Sequence, residues 1–331
     1  MTGVSFIVTV YDKRRYLPAV VEALARQEGA FAREFVFVDD GSTDRSGELI
    51  ADLTRPWRDK VVILRQPNRG ASAATNEGAR RASFPWLKLV DGDDLLAPGA
   101  TQRLLDAAAA TGQTFAYGDL GTYRVEAPDP ACDGDPRHAP FILEPDGLAR
   151  FIRNCPSNSS AMLIAAERYW QAGGCDERLI SPDLALFLRL FATGGGTRVM
   201  GTVALVPASA PGRLSEQRRR SRYESVLALY YLVTERAELD PRYRALAYRR
   251  ALSRARRYHR AFGGAFLSPH LLRYLASLAR VPADPAPLMY KALAAFTEDG
   301  SPERPQSWKP GALREREADD VRQPARSYGE A

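Results

Sequence analysis

Val4 to Val10 (VSFIVTV) is a β-branched apolar run of strand length, and Leu17, Val20, Val21, Leu24 and Ala25 then fall at helical spacing between Tyr16 and Gln27. The same alternation follows three more times. Apolar Glu34 to Val38 precedes helical Thr43 to Leu53, Val61 to Leu64 precedes Ala71 to Arg81, and Trp86 to Val90 precedes Pro98 to Ala110. Four strand–helix units in succession predict an α/β fold whose mixed, mostly parallel sheet carries helices on both faces. Sheets of this kind bind ligands in the crevice beyond the carboxyl ends of their strands.

After Tyr117 the pattern loosens, and the Pro-, Gly- and Asp-rich stretch from Ala127 to Pro140 reads as a loop. A second block predicts a strand over Ser159 to Ile164, a helix over Pro182 to Phe191 and a strand over Thr197 to Val206. From Ser215 to about Thr297 the signal is helical, and beyond it the chain is charged, proline-containing and poor in apolar residues, the composition of a disordered tail. The expected division is a domain over 1–212, with halves 1–120 and 121–212, a helical region over 213–297 and a tail over 298–331.

The 331 residues, 45% of them hydrophobic, suffice for one large core. The chain enters its first strand without the basic, apolar and small-residue segments of a signal peptide, so a cytoplasmic location is expected. The apolar run Val226 to Val233 is flanked by charges and is far short of the roughly 20 residues of a membrane span. Cys132, Cys155 and Cys175 have no CxxC spacing, and with only three histidines neither a disulfide framework nor a histidine metal cluster is indicated. Charge changes the picture more. Between Arg213 and Arg260 fourteen arginines face five acids, an excess of nine that leaves the remainder of the chain, formally +6 overall, at −3. The basicity belongs to one segment, which suits an anionic membrane surface or a phosphate-bearing acceptor better than nucleic acid; a solvated arginine-rich face is the plain structural alternative.

The candidate chemistry lies at the strand ends. Asp91-Gly92-Asp93-Asp94 follows the fourth strand, and Asp39-Asp40 follows the second, so both acidic clusters fall on one sheet edge. Carboxylates crowded behind a buried strand repel one another unless solvent or a cation relieves them. A divalent cation is the natural partner, and Mg²⁺ is usually held by one or two carboxylates plus substrate phosphates. The alternative is an Asp-rich turn capping the helix that begins near Pro98. In VDDGSTD, Gly41 permits a tight turn and Ser42 or Thr43 can cap the next helix, whereas Asp40 suits the imide N–H of a nucleobase and would repel a phosphate.

Four consecutive blocks, VSFIVTVYDKRRYLPAVVEAL, FVFVDDGSTDRSGELI, NRGASAATNEGARRA and WLKLVDGDDLLAPGA, resemble the family 2 inverting glycosyltransferases with the GT-A fold. The likeness is moderate through Asn158 to Arg189 and absent from the C-terminal helices. The resemblance implies that Thr9, Tyr11, Asp40 and Asp91 bind the nucleotide of a nucleotide-sugar donor, with Asp40 on a uracil ring, and that Asp93 binds Mn²⁺ or Mg²⁺. Where the family usually has an arginine before its asparagine, this chain has Thr75 before Asn76. The stretch AGGCDERLISPDLALFLRL resembles the family's GGFDE and ED motifs, which makes Asp183 the implied catalytic base although Pro182 replaces the glutamate; Asp176 and Glu177 are alternative bases.

The implied reaction is a single displacement at the anomeric carbon, with transfer to a hydroxyl of a glycan or lipid-linked acceptor in cell-surface polysaccharide or lipopolysaccharide synthesis. Asn158, Ser159 and Ser160 are candidates for the acceptor side and Arg213 for the diphosphate. Peripheral contact of the basic helices with an inner membrane is a further expectation. The rival readings are a non-catalytic nucleotide-sugar-binding relative and a sugar-phosphate nucleotidyltransferase. The second lacks the glycine-rich basic loop a triphosphate needs, and a dinucleotide oxidoreductase lacks GxGxxG after the first strand.

Overall fold

A computed structural model describes residues 2–130, 135–208 and 218–296. Cys132, Arg213 and the expected tail lie outside these residues. Strands β1 (Gly3–Val10), β2 (Ala32–Asp39), β3 (Lys60–Arg65) and β4 (Trp86–Asp91) alternate with helices α1 (Leu17–Ala25), α2 (Ser46–Thr54), α3 (Ala71–Arg81) and α4 (Ala100–Thr111). The four strands are parallel, in the order β3-β2-β1-β4. Their residues alternate between two buried layers. Phe6, Val8, Phe35 and Phe37 face α1, α2 and α4, whereas Ile7, Val36, Val38 and Leu89 face α3 and the later helices. Burial on both faces explains why β1, β2 and β4 read as largely apolar runs, whereas the edge strand β3 stays partly exposed.

The sheet is mixed beyond β4. Strand β8 (Met162–Ala165) runs antiparallel between β4 and β6 (Phe115–Tyr123), and β9 (Thr197–Pro207) pairs parallel with β6. Short β5 (Leu95–Leu96) and β7 (Phe141–Leu143) add antiparallel to β9. The strand expected over Ser159 to Ile164 is a 3₁₀ turn at Ser159–Ala161 followed by β8. Helices α5 (Gly147–Arg153), α6 (Ala166–Gln171) and α7 (Asp183–Ala192) complete the second half of the sheet's cover.

Helices α8 (Arg218–Glu235), α9 (Pro241–Ala261), α10 (Pro269–Ala279) and α11 (Ala286–Leu293) follow. The apolar run Val226 to Val233 lies in α8 and is buried in the same core as α7 and the lower sheet face. The basic region is thus packed on the sheet domain. No helix among the described residues is long and apolar enough to cross a membrane.

Candidate functional site at the carboxyl edge of the sheet

The register of the parallel strands brings the two acidic clusters to either side of the end of β1. Thr9 lies opposite Asp91 on β4 and Val10 opposite Asp39 on β2. The backbone then locks the turns: Gly92 N–H donates to the Thr9 carbonyl at 2.9 Å and Asp40 N–H to the Val10 carbonyl at 2.8 Å. A Cβ on Gly92 would sit 2.8 Å from the Thr9 oxygen, so the DGD spacing needs glycine for this approach. Tyr11, just past β1, is exposed at the mouth.

Neither acidic turn is spent on helix capping. Helix α4 starts at Ala100 after Gly99, with no side-chain cap, and α2 starts at Ser46 after Arg45, again without one. The expectation that Ser42 or Thr43 caps α2 is therefore corrected. Ser42 Oγ accepts the N–H of Asp12, while Asp12 Oδ1 accepts those of Thr43 and Asp44. These bonds tie the loop after β1 to the loop after β2.

Asp40 is buried, and its carboxylate accepts from Gln66 Nε2 (2.7 Å), Arg69 N (2.9 Å) and Gly70 N (2.8 Å). A carboxylate offers about four lone-pair positions, so one remains for a donor from a ligand. Asp93 pairs with Lys13 Nζ at 2.7 Å and its carbonyl accepts from Tyr123 OH. Asp91 is the most perturbed acid. Burial, then the charges of Asp94, Asp183 and Asp93, push its carboxyl well above the usual carboxylate range, against the pull of Lys13.

The segment before β8 stitches this floor together. Asn158 Nδ2 donates to Asp94 Oδ2 (2.7 Å), Ser160 Oγ accepts the N–H of Asp91 (2.9 Å), and Ser159 N–H donates to Asp183 Oδ1 (2.8 Å). Ser159 Oγ also lies 3.5 Å from Asp91 Oδ1. Asn158, Ser159 and Ser160 thus hold the carboxylates in place, a use no local pattern encodes. Beneath them Lys88, wholly buried on β4, donates to the Ser160 carbonyl. Burial lowers its pKa to about 7, although the charges of Asp94 and Asp91 oppose the fall.

Asp183 is the first residue of α7, where the helix dipole favours an anion, and Pro182 occupies the preceding cap position. The alternative bases are committed elsewhere. Asp176 is buried against Arg178 and Arg189, which hold its carboxyl low against burial, and Glu177 accepts from Asn76 and Arg69. Asn76 itself links α3 to the Cys175 backbone, and Thr75 bonds within its own helix to the Ala71 carbonyl. Arg69 is the arginine nearest in the chain to the Asp40 contacts, with its guanidinium turned to Glu177 at 3.0 Å.

The loop that leads to Asp183 is held from the basic region. Glu224 on α8, nearly buried, accepts the N–H groups of Ile180 (3.2 Å) and Ser181 (3.0 Å), the two residues that lead into Pro182 and Asp183. Glu224→Ala leaves both donors without that acceptor and should cost about 1–3 kcal/mol of stability in urea denaturation. Full retention of stability would show that the contact does not hold this loop.

Residues 5–130 match the model of Glycosyl transferase family 2. This segment, under half of the chain, is similar to family 2 glycosyl transferases. It contains Thr9, Tyr11, Asp40, Asp91 and Asp93, whereas Asp183 and Glu224 lie beyond the matched segment. Among curated proteins, the glycosyltransferase EpsJ of Bacillus subtilis is 35% identical over 106 residues, 32% of this chain and 30% of EpsJ. The succinoglycan biosynthesis protein ExoO of Rhizobium meliloti is 31% identical over 123 residues, 37% of this chain and 34% of ExoO. The chain therefore matches about a third of the length of these relatives. Among solved structures, TarS residues 1–349 of S. aureus in complex with UDP-GlcNAc superposes with a TM-score of 0.65 at 14% identity, over 89% of this chain and 88% of that one. The mannosyltransferase PcManGT of Pyrobaculum calidifontis, in complex with GDP-Man and Mn²⁺, gives 0.54 at 16%, over 88% and 85%. These two likenesses are of fold, and they extend the GT-A architecture well past the family 2 segment.

Proposed function

We propose that the protein is a metal-dependent inverting glycosyltransferase that moves a sugar from a UDP-sugar to a hydroxyl of a glycan or lipid-linked acceptor. The observation that carries this reading is that the charges of Asp93 and Asp183 act on Asp91, at the carboxyl edge of the sheet that also carries Asp40, in a chain whose residues 5–130 match the family 2 model. Thr9 and Tyr11 line the nucleotide side and Asp40 accepts the uracil imide through its remaining lone pair. ExoO, by its name, serves succinoglycan biosynthesis, and another relative, from Pectobacterium carotovorum, is an undecaprenyl-phosphate 4-deoxy-4-formamido-L-arabinose transferase; both support a glycan or lipid-linked acceptor.

The donor set suits a hard divalent cation. Four acidic residues interact there, and burial first, then the charges of Asp94, Asp183 and Asp93, raise the pKa of Asp91 against the opposing pull of Lys13. Among the described residues no group of three or more protein ligands could enclose an ion. Asp93, with Asp91 nearby, would hold Mn²⁺ or Mg²⁺ from one side and leave other positions to water and diphosphate oxygens. The ion, when bound, neutralises charge growing on the leaving diphosphate. Lys13, already at Asp93, is the chain's own cation at the same place. Asp183, oriented by Ser159 N–H, takes the acceptor hydroxyl proton as that oxygen attacks the anomeric carbon and the bond to the diphosphate breaks. One displacement inverts the configuration.

Calorimetric titration of the wild-type chain with UDP, GDP and TDP, each with and without Mn²⁺, tests the donor side. Binding of UDP, strengthened by Mn²⁺ and tighter than that of GDP or TDP, is the expected result. No nucleotide binding in any condition would sink the assignment.

A further inference from the structure

Between Pro241 and Ala283 the chain holds ten arginines and no aspartate or glutamate. Within this acid-free stretch α10 has two unlike faces. His270, Leu271 and Ser277 are buried, Arg256 on α9 stacks over the Tyr274 ring at 4.9 Å, and Arg249 donates to the Ser277 carbonyl. The opposite face carries Leu272, Leu275, Ala276 and Ala279 at the i, i+3, i+4, i+7 positions, all exposed, with Leu272 at 66%. Phe266 and Leu267, in the turn that enters α10, extend this ridge, and Leu267 is 80% exposed. Arg273 and Arg280, seven residues apart, flank it.

The turn also closes a basic cleft. Arg256, Arg257, Arg260, Ala261 and Phe266 line a volume of about 460 Å³, and the Arg260 guanidinium lies over the Phe266 ring at 5.0 Å. Bare leucines would be a liability on a surface meant only for water, and they add nothing to the recognition of a nucleic-acid backbone. A basic surface with an apolar ridge matches a layer of anionic headgroups with hydrocarbon beneath it, because arginine stems lie along apolar surface while their charged heads stay with phosphate.

We propose that α10 and the Phe266-Leu267 turn are a docking element for an anionic phospholipid bilayer. Leu267, Leu272 and Leu275 enter the acyl boundary, and Arg257, Arg260, Arg273 and Arg280 engage lipid phosphates. The inference does not rest on the transferase reading, since none of these residues belongs to the cleft at the sheet edge.

Flotation of the full chain with vesicles of phosphatidylcholine alone, or mixed with phosphatidylglycerol, tests it. The expected result is binding at least roughly tenfold stronger to the anionic vesicles at low salt, weakened by high salt. The double substitution Leu272→Glu with Leu275→Glu, at exposed positions, should remove that binding while circular dichroism and nucleotide affinity stay unchanged. Arg257→Ala with Arg260→Ala should reduce the salt-sensitive part. Equal partition to both vesicle types, or wild-type binding by the leucine double variant, overturns the proposal. So does a wild-type dimer in sedimentation that the leucine double variant dissociates, since the face would then belong to a second copy.

Discussion

Asp183→Asn should lower kcat for sugar transfer by roughly 10²–10⁴-fold, the usual contribution of a positioned general base. The amide keeps an oxygen to accept Ser159 N–H and adds no volume, so the start of α7 should keep its geometry. UDP affinity should therefore stay within about twofold, a difference well below the 1.4 kcal/mol that a tenfold change represents. Loss of turnover with intact nucleotide binding separates a base from a structural acid. Asp176→Asn tests the contrast, because Asp176 sits between Arg178 and Arg189. Its neutralisation weakens its bonds to two partly exposed guanidinium groups, which keep Glu235 and backbone acceptors, and should cost stability, on the order of 1–3 kcal/mol, before it costs chemistry. If Asp183→Asn turned over at the wild-type rate, Asp183 would be only a residue favoured by the helix dipole.

The second large effect is expected at Asp93. Asp93→Asn should abolish the Mn²⁺-dependent gain in UDP affinity, a loss of at least about tenfold, or roughly 1.4 kcal/mol. Binding without metal should persist, because Lys13, released from its 2.7 Å pair with Asp93, remains available to the diphosphate. That signature distinguishes a lost ligand from a collapsed cleft, in which both modes of binding would fall. Calorimetry with and without Mn²⁺ on wild type and variant reads both quantities. An undiminished Mn²⁺ effect would remove Asp93 as the ligand and turn attention to Asp91 and Asp94.

The legibility of this chain divides along a physical line. Strands β1, β2, β3 and β4 and the helices between them were readable because each carries its own period, and burial on both faces makes β1, β2 and most of β4 apolar. Strand β6 was harder, since Gly118, Asp119 and Gly121 interrupt its pattern; its pairing with β9 shifts register around Asp119. Strand β5 is two residues long and β7 three, too short to show any period, and both exist because β9 offers an edge.

The site divides in the same way. Asp39, Asp40, Asp91, Asp93 and Asp94 announce themselves, because carboxylates directly behind a buried strand have few structural uses. The placing of Asp183 was suggested by resemblance alone, while the bond from Ser159 N–H to it and the hold of Glu224 on the preceding loop are encoded by nothing in the local pattern. Lys13 meets Asp93 across 80 positions of sequence and Lys88 meets Ser160 across 72. No periodicity or turn preference encodes such pairs.

The sequence by itself determined the alternating architecture, the carboxyl edge of the sheet as the candidate site and the acidic character of that edge, because those follow from local period and from strand polarity. Only the tertiary structure decided which carboxylates share a cleft, which are taken by arginines, and that a glutamate from the basic helices supports the loop before Asp183. The reason is that charge and hydrogen-bond pairing depend on distance in space, which packing sets after the local elements have formed.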